Sequence, residues 1–94
     1  IFGCRMYFVY ILRSDAKPHR FYVGTTTNLT NRVKTHNQGG SIHTNKYKPW
    51  TLYWYAAFTD KDSAYRFETY LKTGSGRRFQ KKHLGIHGES DPHA

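Results

Sequence analysis

The chain has one cysteine, three prolines and six acidic residues set against fifteen Lys and Arg. A single thiol, Cys4, excludes an internal disulfide framework and points to a reducing compartment; Cys4 is expected to act as a small, buried or partly buried hydrophobe. The apolar stretch Met6 to Leu12 is too short for a membrane span, which needs about 18 apolar residues, and lacks the flanks of a signal peptide. A soluble, cytoplasmic protein without a membrane partner is expected. The chain opens on Ile1 in place of Met, which suggests trimming or missing native residues, and no targeting signal is visible. Scarcity of acid leaves a formal charge of +9 and a pI near 9.9, and so argues for a polyanionic partner, nucleic acid first. A basic surface that only aids solubility explains the charge as well.

At 94 residues there is room for one domain. A chain this short buries a modest share of its surface, so its eight Tyr, six Phe and two Trp are expected to carry much of the core. Aromatics also suit a nucleic-acid surface, because every base has a face to stack on.

Met6-Tyr7-Phe8-Val9-Tyr10-Ile11-Leu12 is β-branched and aromatic and reads as a buried strand, with Arg20 to Thr25 as its antiparallel partner across a turn that holds Asp15 and Pro18. Asn28 is a good N-cap for a helix that carries Leu29, Arg32, Val33 and His36 and stops at Gly39-Gly40. Ser41 to Pro49 reads as a polar, basic loop, and Trp50 to Phe58 as a third strand. Thr59, with Asp62 three residues later, is expected to cap a second helix running to about Lys72. Gly74 and Gly76 are expected to break it before a short basic helix from about Arg77 to His83. From Gly85 the sequence is polar and punctuated by Gly and Pro, which predicts a flexible tail over 85–94 behind a domain over 1–84. The predicted class is α/β (α+β): a small, three-stranded, mostly antiparallel sheet flanked by helices.

Winding the helices at about 100° per residue puts Leu29, Arg32, Val33 and His36 in one arc, and Ala64, Phe67, Glu68 and Leu71 in another. Each apolar stripe therefore carries charge or polarity. A charge turned inward and left unpaired costs several kcal/mol, on the order of the desolvation penalty, so Arg32 and Glu68 should line a polar cleft or hold an ion. Plainer readings stand beside this one. Glu68 can pair with Lys72 at i,i+4, Arg32 can lay its stem on the surface with its head in water, and His36 can sit by the helix C-terminus.

Phe8-Val9-Tyr10, then Tyr22-Val23-Gly24, then Arg32 with His36 four residues on, then Glu68, and finally Leu71-Lys72-Thr73-Gly74-Ser75-Gly76-Arg77, form an ordered set that resembles the GIY-YIG nucleases, especially their small stand-alone bacterial members. The likeness runs from about Met6 to Leu84. Phe8-Val9 stand where the family name has Gly-Ile, Val23 stands for Ile, and no Asn follows Glu68 although several relatives place one in the site. The resemblance implies a GIY-YIG-like fold and a divalent-metal-dependent endonuclease that hydrolyses nucleic-acid phosphodiesters, DNA before RNA, with weak sequence specificity. It implies Glu68 as the ligand of one Mg²⁺, with Mn²⁺ a candidate substitute, Arg32 on the scissile phosphate, and Tyr10 or Tyr22 to order or deprotonate the attacking water. His36 is implied as a proton carrier or phosphate ligand. The product would carry a 5′-phosphate.

His43, Lys46, Lys48, Arg77, Arg78, Lys81 and Lys82 are then the candidate phosphate contacts, or a solvated basic surface. A metal site of His83, His87 and His93 fits no closed zinc spacing. The alternative function is a non-catalytic basic nucleic-acid-binding module, which accounts for charge and aromatics but not for an inward Glu68.

Overall fold

The β-branched and aromatic runs form the expected strands, and alternation along them decides what each side of the sheet carries. A computed structural model of the chain describes residues 5–40, 42–87 and 89–90; Cys4 and His93 lie outside the described residues. The elements follow the order β1 (Tyr7–Ser14), β2 (Arg20–Thr26), α1 (Leu29–Asn37), α2 (Ile42–Asn45), β3 (Trp50–Phe58), α3 (Lys61–Leu71), α4 (Gly74–Leu84) and β4 (Glu89–Ser90). The sheet order is β3-β1-β2-β4. β1 is central and antiparallel to both β2 and β3, while β4 runs parallel to the start of β2.

Two apolar clusters cover the two faces of this sheet. Val9, Ile11, Phe21 and Val23 pack with Ala64 and Leu71 of α3 and with Phe79 and Leu84 of α4. Tyr10, Leu12, Tyr22 and Trp50 pack with Leu29 and Val33 of α1. Adjacent residues of one strand thus serve opposite layers, as period-2 geometry requires. The helical arcs are realised too: His36, Ala64 and Leu71 are fully buried, and Arg32, Phe67 and Glu68 are half-buried at the edges of those stripes.

Several local expectations are revised. The second long helix is capped by Asp60, whose carboxylate accepts from the Ser63 N–H, one residue beyond Thr59. Two adjacent residues carry cap chemistry here, and the acceptor three residues before an unpaired N–H wins. The segment expected as a loop contains one helical turn, α2, which places Thr44 inside the molecule.

Gly74 and Gly76 do not interrupt a helix but open one, with Thr73 as N-cap. A Cβ on Gly76 would stand 1.9 Å from the Tyr70 carbonyl oxygen and 2.5 Å from the Leu71 Cα. Glycine is needed there because α4 starts against the end of α3. Gln80, 2 % exposed, completes the junction by donating to the Leu71 carbonyl at 2.9 Å. After Gly85, in the left-handed region at φ +68°, Ile86 returns to the core and donates its N–H to the Gln80 carbonyl. This closes the helix in the manner of a Schellman motif. The stretch after residue 84 therefore holds more structure than its composition predicts, because one apolar side chain, Ile86, has a place to go.

Candidate active site

Strand alternation brings Tyr10 and Tyr22 onto the α1 side of the sheet, with ring centroids 6.1 Å apart. Gly24 is the cross-strand partner of Tyr10. A Cβ at Gly24 would come within 2.5 Å of the Tyr10 hydroxyl and 2.7 Å of its Cζ, so the glycine of the second triplet makes room for the phenol of the first. Asn28 starts α1 by accepting from the Asn31 N–H. That fixes the helix phase and turns Arg32 and His36 onto the tyrosines.

The contacts form one connected group. Arg32 Nε donates to the Tyr10 hydroxyl at 3.3 Å, and the same hydroxyl lies 3.1 Å from His36 Nε2. His36 Nδ1 is 2.9 Å from Thr44 Oγ1. The Tyr22 ring stacks obliquely on the imidazole at 4.6 Å. Trp50 holds α2 in place by donating its indole N–H to the Thr44 carbonyl at 2.9 Å, and Asn37 ties the end of α1 to the Trp50 backbone.

Burial sets the protonation states. Tyr10 is 1 % exposed, and desolvation pushes its phenol well above the ordinary tyrosine value; the neighbouring Tyr22 phenol adds to the rise while Arg32 opposes it. His36 is fully buried, and desolvation with the Arg32 charge beside it lowers the imidazole to about 4. It is neutral at physiological pH. Arg32 is held even more firmly charged, first by its hydrogen bond to Tyr10.

Glu68 stands on the other side of the sheet edge. Thr25, one residue beyond Gly24, faces α3 and donates its hydroxyl to Glu68 Oε1. Lys72 Nζ donates to Glu68 Oε2 at 2.7 Å in an i,i+4 ion pair, with the two side chains 23 % and 18 % exposed. The inward carboxylate and the pairing with Lys72 are therefore both present, where either was expected alone.

The basic candidates divide between the layers. His43, Lys46 and Lys48 are exposed around α2, on the α1 side, with the Lys46 ammonium 5.2 Å from the Tyr47 ring. Arg77, Arg78, Lys81 and Lys82 are exposed on α4, across the sheet. Among the described residues, no group of three or more His, Cys, Asp or Glu side chains is placed to hold a metal ion. Nor is any helix long and apolar enough to cross a membrane.

Thr44 and Thr25 escape sequence reasoning. Thr44 lies in a segment with no periodic signal. Thr25 follows the second triplet directly, and alternation alone would have turned it toward the α3 layer.

The fold and the cluster define a small α+β catalytic domain with a tyrosine, arginine and histidine site beside one carboxylate. Residues 6–83 match the GIY-YIG catalytic domain. The chain is 37 % identical over 87 residues to the structure-specific endonuclease subunit SLX1 of Debaryomyces hansenii, covering 85 % of this chain and 25 % of that protein. It is 37 % identical over 70 residues to a UPF0213 protein of Staphylococcus haemolyticus, covering 73 % and 83 %. The solution structure of a UPF0213 protein from Bacillus halodurans superposes with a TM-score of 0.51 at 32 % identity, covering 88 % and 86 %. The chain belongs to the GIY-YIG nuclease family. It spans about a quarter of the length of the SLX1 subunit it matches.

Proposed function

We propose that this chain is a divalent-metal-dependent endonuclease that hydrolyses phosphodiester bonds of nucleic acid, DNA in particular, with little regard for base sequence. The observation that carries the reading is the Arg32 guanidinium hydrogen-bonded to the Tyr10 phenol beside Tyr22, around a buried neutral His36. A fixed cation next to two phenols suits a phosphate and the water that attacks it.

Roles follow from exposure and polarity. Arg32 binds the scissile phosphate through the guanidinium nitrogens that do not engage Tyr10. Tyr22 is 8 % exposed against 1 % for Tyr10, so water reaches Tyr22 more readily. The raised Tyr10 phenol keeps its proton, whereas the base must release one. Tyr22 therefore acts on the attacking water, and Tyr10 positions Arg32 and His36. His36, neutral and closed off from solvent, receives the Tyr10 O–H at Nε2 and donates Nδ1–H to Thr44, which fixes the ring. It does not touch the phosphate.

Glu68 is the residue that would hold a divalent ion. One carboxylate fits Mg²⁺, or Mn²⁺ in its place, because such hard ions keep waters and take substrate phosphate oxygens as remaining ligands. The ion would replace the Lys72 ammonium at Oε2, while Thr25 keeps Oε1 oriented. When bound, it supplies charge stabilisation at the phosphate and its leaving oxygen.

The occupation of both Glu68 oxygens by protein donors favours a second reading, a basic module that binds nucleic acid without cutting it. Incubation with plasmid, single-stranded DNA and RNA in Mg²⁺, Mn²⁺ or EDTA separates the two. Cleavage to 5′-phosphate ends that EDTA abolishes is the expected result; retention of nucleic acid with no cleavage in either metal selects the binding module.

A further inference from the structure

A cavity of about 380 Å³ opens where the end of β2 meets the first turns of α3. Its wall includes Arg5, Thr25, Thr26, Thr27, Lys61 and Tyr65. Two of these are cations, three are threonines in succession, and one is a tyrosine; no carboxylate lines it. Donors and positive charge without acid define the chemistry of an anion site. Lys61 is held 5.8 Å from the Tyr65 ring, which directs its ammonium along that wall.

The position matters as much as the lining. Lys61, Tyr65, Glu68 and Lys72 recur at helical spacing and share one face of α3. Thr25 belongs both to the cavity wall and to the hydrogen bond that orients Glu68. The cavity is therefore continuous with the carboxylate, on the side away from Lys72. A divalent anion free in solution would find few enclosing groups here, but a phosphodiester of a strand already bound at Arg32 would be delivered to it.

We propose that this cavity binds a backbone phosphate of the nucleic-acid strand next to the one being cut, with Arg5 and Lys61 supplying charge and Thr27 a neutral hydrogen bond. The assignment rests on the nuclease reading for its substrate, but it is a statement about binding and is tested without catalysis. Neither α2 nor α4, where the other basic groups lie, takes part in it.

The test is the salt dependence of duplex DNA binding in EDTA, measured by fluorescence anisotropy for the wild type, Arg5→Ala/Lys61→Ala, Thr27→Val and Arg66→Ala. Thermal midpoints within a few degrees of wild type establish that each variant is folded. The double variant should flatten the slope of log K against log salt by about 1.8, since each phosphate contact contributes about 0.9 on duplex DNA. Thr27→Val should weaken binding several-fold at every salt concentration with its slope unchanged. Arg66, on the same helix but outside this cavity, should matter less than either cation. An unchanged slope in the double variant, or an equal loss in Arg66→Ala, would overturn the proposal, the second by showing only a diffuse charge effect. If wild-type protein binds DNA with the expected slopes yet never cleaves it, the nuclease reading fails and the phosphate site stands. If it cleaves while the double variant keeps the wild-type slope, the phosphate site alone falls.

Discussion

Acidifying the protein from pH 7 to pH 4 should remove a defined part of its stability through His36. The ordinary imidazole value of 6.5 applies to the unfolded chain, and burial with the Arg32 charge lowers it to about 4 in the folded state. Between these values the unfolded chain binds a proton that the folded chain refuses, so stability rises with pH across the window and is lost as pH falls through it. At about 1.36 kcal/mol per unit, the full loss is about 3 kcal/mol. Domains of this size have roughly 5 to 14 kcal/mol in total, so the effect should be plain in urea unfolding. The comparison is wild type against His36→Gln, which keeps an amide toward Tyr10 but does not titrate. The variant should be less stable at pH 7, and the difference between the two should shrink by about 1.4 kcal/mol per pH unit below pH 6.5. Parallel pH profiles, or an imidazole seen by NMR to titrate near 6.5, would refute both the burial argument and the neutral His36 on which the site depends.

Arg32→Lys should recover little of the activity lost in Arg32→Ala, because an ammonium cannot bond Tyr10 and a phosphate as a planar fork does; steady-state cleavage rates decide it, and near-wild-type turnover in the lysine variant would make Arg32 a plain point charge. Tyr22→Phe should cost about two to four orders of magnitude in rate if Tyr22 is the base, with Tyr10→Phe the milder change; equal, modest losses would mean that both only orient water. Gly24→Ala should drive the Tyr10 ring from its place, at an overpacking cost of about 1 to 3 kcal/mol. Cleavage should fall by more than the thermal midpoint explains, and a fully active alanine variant would show that the Tyr10 hydroxyl need not be where it stands.

Local chemistry made much of this protein legible. Alternating aromatic and β-branched residues mark β1 to β3, and Asn28 marks the start of α1 with Arg32 and His36 on its inner arc. What escaped depends on contacts far apart in sequence. Gly76 reads as a breaker by propensity, yet it opens a helix because the Tyr70 carbonyl leaves no space for a Cβ. Ile86 sits among polar residues and gives no periodic signal, but the core has a place for it. In the site, the tyrosines, Arg32 and His36 could be grouped from helix phase and motif order. Thr44 could not, because its partner lies eight residues back and the intervening turns leave no pattern. For Glu68, spacing offered an ion pair or an inward carboxylate as alternatives; the fold joins them through Thr25 and Lys72.

The most direct test of the account is Glu68→Gln, which keeps the size and hydrogen-bonding capacity of the side chain and removes the charge assigned to the ion. Cleavage of DNA in Mg²⁺ and DNA binding in EDTA are measured for both proteins. Loss of cleavage with binding retained or tightened is expected, since a negative charge near the phosphates is gone. The midpoint of unfolding should shift little, because the half-exposed pair with Lys72 is worth at most about 1 kcal/mol. Undiminished cleavage by the Gln variant would contradict the single-carboxylate metal site and leave Glu68 as a partner of Lys72 and Thr25 alone.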